Sequence, residues 1–214
     1  MSDIFQEVDE ELRRENFAKL WARFGKYVIA FAVLVVLATA GVTQWRQYRT
    51  HQREAEGARY VAALDLARAG KDKDAADAFS VIARQAGGGH AMLARLEEAA
   101  LKARSGDSAG AVKLYGAVAA DTSVDPIYRD VATLLAAQYG LDTGDPKAII
   151  AQLAPLTSAT NPWHPTALEL TALAQLKSGD KAAARATYKR IADDLSAPQS
   201  LRARATEMIA ALAE

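Results

Sequence analysis

Cysteine is absent from the 214 residues, so disulfides, zinc–thiolate sites, iron–sulfur clusters and thiol catalysis are excluded. An excess of either charge is also absent, because Lys and Arg together number 26 and so do Asp and Glu. The chain therefore lacks the overall basic field with which proteins hold nucleic acid through its phosphates. Runs of Val, Ile and Thr are scarce after residue 45, and alanine, the strongest helix former, is the commonest residue. This composition predicts an all-α domain.

Side chains that would have to converge in a catalytic or metal site are few and scattered. The histidines, His51, His90 and His164, are far apart in the sequence and show no H-E-x-x-H spacing. The glycines 87–89 follow a helical pattern instead of a strand, and they lack the lysine and Ser/Thr of a phosphate-binding loop. We interpret them as a loop between repeats. An enzyme with a site between repeats would need clustered titratable groups, so the sequence predicts no enzyme, no metal, no cofactor and no small-molecule substrate.

Residues 27–43 form an uncharged, apolar run that is preceded by Lys26. A helix from Tyr27 to Trp45 would be about 27 Å long, close to the thickness of the hydrocarbon layer of a bilayer. Tyr27 and Trp45 would then lie at opposite interfaces, where aromatic side chains are enriched. A buried core helix would instead need apolar partners on every side, and the rest of the chain offers only amphipathic helices. We therefore predict a single transmembrane helix at residues 27–45.

The segment before this run, residues 1–26, is acidic at first and then basic. Basic residues within fifteen positions of the run number five on its N-terminal side and three on its C-terminal side. By the positive-inside rule this difference predicts a cytoplasmic N-terminus. Four large apolar residues share one helical stripe at i, i+3, i+4 and i+7, namely Phe17, Leu20, Trp21 and Phe24. Such an amphipathic helix would lie in the headgroup region or pack on a membrane partner.

A cleaved signal peptide is the alternative interpretation of the apolar run. Ala38-Thr39-Ala40 matches a small-x-small cleavage site, and cleavage there would release a soluble protein that begins at Gly41. Signal peptides usually begin with a short basic stretch, whereas here 26 residues with several acidic side chains precede the run. We prefer the membrane anchor and keep the cleaved form as the alternative.

Beyond residue 50 the chain repeats itself at intervals of 36, 38 and 35 residues, measured between glycines that follow helical patterns. These glycines are Gly70, Gly106, Gly144 and Gly179. Seven residues before them stand Ala63, Ala99, Ala137 and Ala172. Five residues after them stand Ala75, Ala111, Ile149 and Ala184, and nine residues after them stand Phe79, Tyr115, Leu153 and Tyr188. An alanine-rich bundle with coincidental glycines would not be expected to agree at so many aligned positions.

Each matching position has a mechanical role in a helical hairpin. Glycine in the left-handed conformation ends the first helix and turns the chain. Small residues at facing positions let two antiparallel helices approach closely, and the large residue one turn later fills the space towards the next unit. These are marks of a tetratricopeptide-type repeat, whose period is ~34 residues. We predict an α-solenoid over residues 46–214, made of about four helical hairpins and a capping helix that starts near residue 199.

The first helix of each hairpin lines the groove in a tetratricopeptide stack, so we expect the binding residues there. Two residues before the repeat glycines stand Arg68, Arg104, Asp142 and Lys177, a position that would present charge to a bound peptide. The protein-binding groove that we predict comprises Tyr60, Leu64, Arg68, Leu96, Arg104, Gln138 and Lys177. The alternative is that basic residues in the last turn only complement the helix dipole and the free carbonyl groups.

An acidic-then-basic N-terminus, the segment LWARFGKYVIAFAVLVVLATAGVTQWRQYRTHQREAEGARY and degenerate alanine-rich repeats follow one another in this order. The order resembles the bacterial family of ancillary Sec-translocon subunits, which are membrane-anchored tetratricopeptide proteins. The resemblance is most specific at Gly25-Lys26-Tyr27, Gly41, Trp45 and Tyr48. It implies a cytoplasmic N-terminus, an inner-membrane span, a periplasmic repeat domain and no catalytic residues. The implied partners are the protein-export channel and membrane-anchored periplasmic chaperones, whereas the cleaved form would be a periplasmic adaptor in envelope assembly or cell division.

Overall fold

The computed structural model describes the backbone of residues 3–213 and the side chains of residues 21–213 other than 28, 30 and 32. These described residues form helices joined by turns, with no strand. The helices are α1 (Asp3–Arg68), α2 (Asp72–Gln85), α3 (Gly88–Arg104), α4 (Ser108–Ala120), α5 (Pro126–Gly140), α6 (Pro146–Leu153), α7 (His164–Lys177), α8 (Lys181–Asp193) and α9 (Gln199–Ala211), with a 3₁₀ turn at Ala154–Thr157. The all-α prediction is therefore confirmed.

The chain divides into two compact units, Met1–Ala55 and Glu56–Glu214. Helix α1 contributes residues to both, as expected from a sequence in which no Pro or Gly cluster interrupts residues 44–56. The domain boundaries that we predict after residues 26 and 45 both lie within α1, and they stay predictions.

The first unit carries the segment in which we predict a membrane span. Among the residues that the structure describes, no helix has both the length and the apolar character needed to cross a membrane. The predicted span at 27–45 includes positions 28, 30 and 32, whose side chains lie outside the described set. Of the stripe predicted before the span, the side chains of Phe17 and Leu20 also lie outside it. The span and the amphipathic segment therefore stay predictions from the sequence.

The second unit consists of helical hairpins in which consecutive helices pack together. The last turns of α1 pack on α2, and the pairs α3–α4, α5–α6 and α7–α8 follow in the same way. The residues that repeat in the sequence are the ones that these hairpins bury. Ala63, Ala99, Ala137 and Ala172 are at most 1% exposed, and Phe79, Tyr115, Leu153 and Tyr188 are at most 2% exposed. The predicted repeat of small and large residues is therefore the packing pattern of the fold.

Left-handed glycines end the first helix of three hairpins, namely Gly70, Gly106 and Gly179, with φ of 73°, 88° and 83°. The N–H of Gly106 donates to the carbonyl oxygen of Ala103 at 3.1 Å. The N–H of Asp107 donates to the carbonyl oxygen of Lys102 at 2.9 Å, which completes a Schellman motif. The carboxylate of Asp107 then accepts from the N–H of Gly110 at 2.9 Å and caps α4. A Gly-Asp pair thus ends one helix and starts the next.

The third hairpin turns differently, and the expectation of a left-handed glycine at Gly144 is wrong there. The N–H of Gly144 donates to the carbonyl oxygen of Gly140 at 2.7 Å, and a Cβ at 144 would lie 2.8 Å from that oxygen. Glycine is required because backbone approaches backbone, not because φ is positive. The bulkier Ile149 is accommodated by Gly140, where a Cβ would lie 3.6 Å from the Ile149 Cδ1 atom. At this contact the small residue, Gly140, is on the first helix of the hairpin and the large residue, Ile149, is on the second.

Helix α9 closes the stack, as the sequence predicts. Leu201 and Ala205 of α9 join a buried cluster with Leu168, Tyr188 and Ile191 of the last hairpin. The apolar face of that hairpin is therefore covered by α9, which is not part of a hairpin itself. This is the role of a terminal cap in a repeat protein.

Candidate protein-binding surface

All residues of the predicted groove lie on the first helices of the hairpins. Tyr60, Leu64 and Arg68 belong to α1, Leu96 and Arg104 to α3, Gln138 to α5 and Lys177 to α7. The four polar members, Arg68, Arg104, Gln138 and Lys177, are exposed, whereas Tyr60, Leu64 and Leu96 are partly buried. The structure therefore places the polar members where a partner can reach them, and it places the apolar members partly within the packing between helices.

Tyr60 connects the first two hairpins. Its hydroxyl donates to the Oε1 atom of Glu97 at 3.4 Å, and its ring meets that of Phe79 edge-on at 5.3 Å between centroids. Burial, followed by the charge and the hydrogen bond of Glu97, raises the pKa of Tyr60 to about 12. The phenol is therefore neutral at physiological pH and acts as a hydrogen-bond donor. Tyr60 forms part of the wall between α1 and α3 and presents only part of its ring to solvent.

Glu97 lies in a polar patch at the contact of α1 with α3. The His90 Nδ1 atom is 3.5 Å from the Oε2 atom of Glu56, on the same side of the contact as Tyr60. Burial raises the pKa of Tyr115 to about 12, and the nearby phenol of Tyr139 and the charge of Glu97 add to the shift. The rings of Tyr115 and Tyr139 are stacked, with centroids 5.9 Å apart. The patch therefore combines the carboxylates of Glu56 and Glu97 with the partly exposed ring of Tyr60, a composition suited to polar contacts with a polypeptide.

The charged positions before the repeat glycines are engaged with carboxylates of the chain itself. Lys177 Nζ lies 2.9 Å from Asp142 Oδ1, and Arg104 pairs with Asp72 in the first turn of α2. Arg68 pairs with Asp65 at 3.0 Å on its own helix. These pairs are largely exposed, so each contributes about 0–1 kcal/mol to stability. An acidic partner would have to compete with these carboxylates, and whether the groove binds protein stays a prediction.

A pocket of about 450 Å³ opens elsewhere in the second unit, between the end of α2, the start of α3 and the α4–α5 turn. Its lining includes the apolar side chains of Met92 and Val124 and the ion pair between Arg95 and Asp121 at 2.9 Å. Gly88 and Gly89 border it, and α3 begins at Gly88, so the interpretation of the glycines 87–89 as a loop is wrong for these two.

The predicted groove does not include this pocket. The one feature of the sequence that points to it is the run of three glycines at 87–89. A Cβ at Gly87, Gly88 or Gly89 would meet nothing within 4 Å, so these glycines leave space open instead of filling a packed position. Asp121 shapes the other wall, because its carboxylate accepts from both the N–H and the hydroxyl of Ser123, at 3.1 and 2.6 Å. These hydrogen bonds lower the pKa of Asp121, with the Ser123 hydroxyl as the largest cause. The carboxylate therefore stays charged beside Arg95.

The groups that the structure describes do not converge as catalysis or metal binding requires. Among residues with described side chains, no cluster of His, Asp and Glu would hold a metal ion. His51 pairs with Glu54, His90 with Glu56, and the Nδ1 atom of His164 lies 2.8 Å from the carbonyl oxygen of Thr157. Each histidine thus has its own local partner.

Helical hairpins that stack through small and large residues and end in a capping helix define an α-solenoid, a class of protein that binds other proteins on its repeat surface. The sequence pattern of the tetratricopeptide repeat-like domain family matches residues 18–210, and the chain belongs to this family. The protein is therefore a protein–protein interaction scaffold of tetratricopeptide type. Comparisons with curated proteins and with solved structures gave no match.

Proposed function

We propose that this scaffold is anchored in the bacterial inner membrane and serves as an ancillary subunit of the Sec protein-export channel, which it links to periplasmic chaperones. Residues 1–26 lie in the cytoplasm, residues 27–45 cross the membrane, and residues 46–214 bind partners in the periplasm. Family membership supports the protein-binding role. The partners and the location are supported by the resemblance of the N-terminal segment to that family of subunits.

The observation that carries the anchor is apolar surface on every side of α1. Residues 33–37 are Val-Leu-Val-Val-Leu, and five consecutive residues cover the whole circumference of a helix. Each of these side chains is between 45 and 68% exposed in the described structure. Apolar surface costs about 25 cal/mol per Å² when water covers it. A helix that is apolar all round needs apolar surroundings, and lipid chains supply them without a protein partner.

Aromatic and basic side chains at both ends of the run also support the anchor. The Lys26 ammonium lies 5.1 Å from the ring centroid of Tyr27, and the Arg49 guanidinium lies 5.1 Å from that of Trp45. Rings of this kind sit at the membrane interface, where a cation can reach the headgroups. The family match begins at residue 18, so the pattern shared by the family includes this run as well as the repeats.

Protease added outside spheroplasts tests the anchor and the orientation together. We expect the untreated protein to have the mass of the full chain and to stay in the membrane. Digestion should remove only the part after about residue 46, where the predicted span ends and the chain re-enters water. Complete protection of the repeat domain would contradict the orientation.

Crosslinking tests the proposed partners. A photo-crosslinker at Gln138, which is exposed on α5, should capture channel subunits or chaperones, whereas the same group at Lys189, exposed on α8, serves as the control. Equal capture from both positions, or capture of neither class, would argue against the export role.

The cleaved periplasmic adaptor is the second candidate, because Ala38-Thr39-Ala40 fits a signal-peptidase site. It predicts a mature chain that begins at Gly41 and washes off membranes. Intact mass of the untreated protein separates the two candidates directly.

A further inference from the structure

Acidic residues are missing from a long stretch around the apolar run. Between Glu15 and Glu54 the sequence has no Asp or Glu, although it contains basic residues on both sides of the run. On the C-terminal side these are Arg46, Arg49 and Arg53. The absence of carboxylates over this stretch leaves the arginines without an acidic neighbour in the sequence before Glu54.

The three arginines share one face of α1. At 100° per residue, Arg46, Arg49 and Arg53 lie within an arc of about 60°, whereas His51 lies on the opposite side of the helix. All three arginines are exposed. Among residues with described side chains, no carboxylate is within ion-pair distance of them, and the nearest acidic residue, Glu54, contacts His51 instead. The face is therefore a strip of positive charge that no described carboxylate neutralises.

This face begins where the apolar run ends. Trp45 is 59% exposed and lies under the guanidinium of Arg49. Along the helix axis Arg46 lies about 1.5 Å beyond Trp45 and Arg49 about 6 Å beyond it, within the depth of a headgroup layer. Arg53 lies about 12 Å beyond Trp45, from where a long side chain can still bend back towards the phosphates.

We propose that Trp45, Arg46, Arg49 and Arg53 form a binding face for the phosphate groups of anionic phospholipids in the leaflet from which the repeat domain emerges. The inference rests on the proposed membrane anchor. Guanidinium groups bind phosphate oxygens with two parallel hydrogen bonds, and the ring of Trp45 holds Arg49 in the interface. The face thus adds lipid selectivity to the insertion that the apolar run provides.

Quenching of Trp45 fluorescence by brominated lipids tests the proposal in the full chain. Trp21→Phe and Trp163→Phe leave Trp45 as the only tryptophan, since the chain has three. This protein is placed in phosphatidylcholine vesicles that contain a brominated lipid, either phosphatidylglycerol or phosphatidylcholine, at equal mole fraction. We expect brominated phosphatidylglycerol to associate with the Trp45 site about threefold more strongly, because each arginine near a membrane surface attracts anionic lipid.

Variants locate the effect on this face. In Arg46→Gln/Arg49→Gln/Arg53→Gln the two lipids should quench equally, whereas Lys at the same positions should keep most of the preference. A control with the same loss of charge is Arg59→Gln/Arg185→Gln/Arg190→Gln, which changes exposed arginines of the second unit and should keep the preference. Loss of the preference in this control as well would overturn the proposed face.

Extraction of the same vesicles with alkaline carbonate separates this inference from the anchor. A parent protein that resists extraction but quenches equally with both lipids overturns the lipid-binding face and leaves the anchor intact. A protein that carbonate releases overturns the anchor, and the proposed face with it.

Discussion

Lys177 and Asp142 occupy the same position in adjacent repeats, two residues before Gly179 and Gly144, and their side chains form an ion pair at 2.9 Å. The residues are 35 positions apart in the chain. The repeat period therefore becomes a contact between the end of α7 and the turn that follows α5. In the sequence, the charge at this position suggests ligand binding. In the structure, the charges of Lys177 and Asp142 are already paired with each other.

Charge reversal on the first helices tests the predicted groove. We expect Arg68→Glu/Arg104→Glu to weaken capture of partner proteins in a pull-down while the helical content by circular dichroism stays unchanged, because both side chains are exposed. Arg185→Glu/Arg190→Glu, on exposed positions of α8, is the matched control for net charge. Unchanged capture by the first variant would remove the charged groove from consideration.

The repeated alanines test the packing of the hairpins. Ala99 is fully buried between α3 and its neighbours, so Ala99→Leu should lower the free energy of unfolding by about 1–3 kcal/mol through overpacking. Ala117 is exposed on α4, and Ala117→Leu should change stability by no more than about 0.5 kcal/mol. Denaturant unfolding of both variants in detergent makes the comparison. Equal losses would contradict the assigned hairpin interface.

Gly106, Gly116 and Gly144 should respond differently to substitution by alanine, because the backbone and the space around each of them differ. Gly106 has φ of 88°, so Gly106→Ala should cost about 1–2 kcal/mol of stability from the left-handed backbone alone. Gly116 lies within α4 with open space around a Cβ, so Gly116→Ala should stabilise by about 0.5–1 kcal/mol.

Gly144→Ala should destabilise for a different reason, because its Cβ would lie 2.8 Å from the carbonyl oxygen of Gly140. Thermal melting of the variants gives the ranking directly. Stabilisation by Gly144→Ala would contradict the close approach of backbone to backbone in the third hairpin.

Alkaline pH should weaken the fold through its buried tyrosines. Burial raises the pKa of Tyr60 and Tyr115 from 10.0 to about 12, so the folded state holds these protons more tightly than the unfolded state does. Their contribution to stability is complete below pH 10.0 and is lost as the pH rises through about 12. We expect the free energy of unfolding to fall over this window, and Tyr115→Phe to make the fall less steep. A flat profile in the parent protein would show that these phenols are not buried.

The sequence by itself determined the fold class and the repeat, because both rest on local rules. Alanine content favours helices, Gly106 and Asp107 end one helix and cap the next, and the interval of Ala63, Ala99 and Ala137 reports a hairpin that recurs. The same local chemistry gave the uncharged run at 27–45 and the absence of acidic residues around it. These features can be recognised without knowing which residues pack against one another in the folded chain.

Only the tertiary structure decided which residues meet across the repeats. Three features depend on distances between segments that are far apart in the chain. They are the pairing of Lys177 with Asp142, the contact of Tyr60 with Glu97, and the pocket beside Gly88 and Gly89. The turn at Gly144 shows the limit most clearly. The sequence aligns this glycine with three others, yet Gly140 and Ile149 pack so that close approach, and not a positive φ, requires it. A sequence pattern records which residue is present, whereas the packing around that residue determines the physical reason for it.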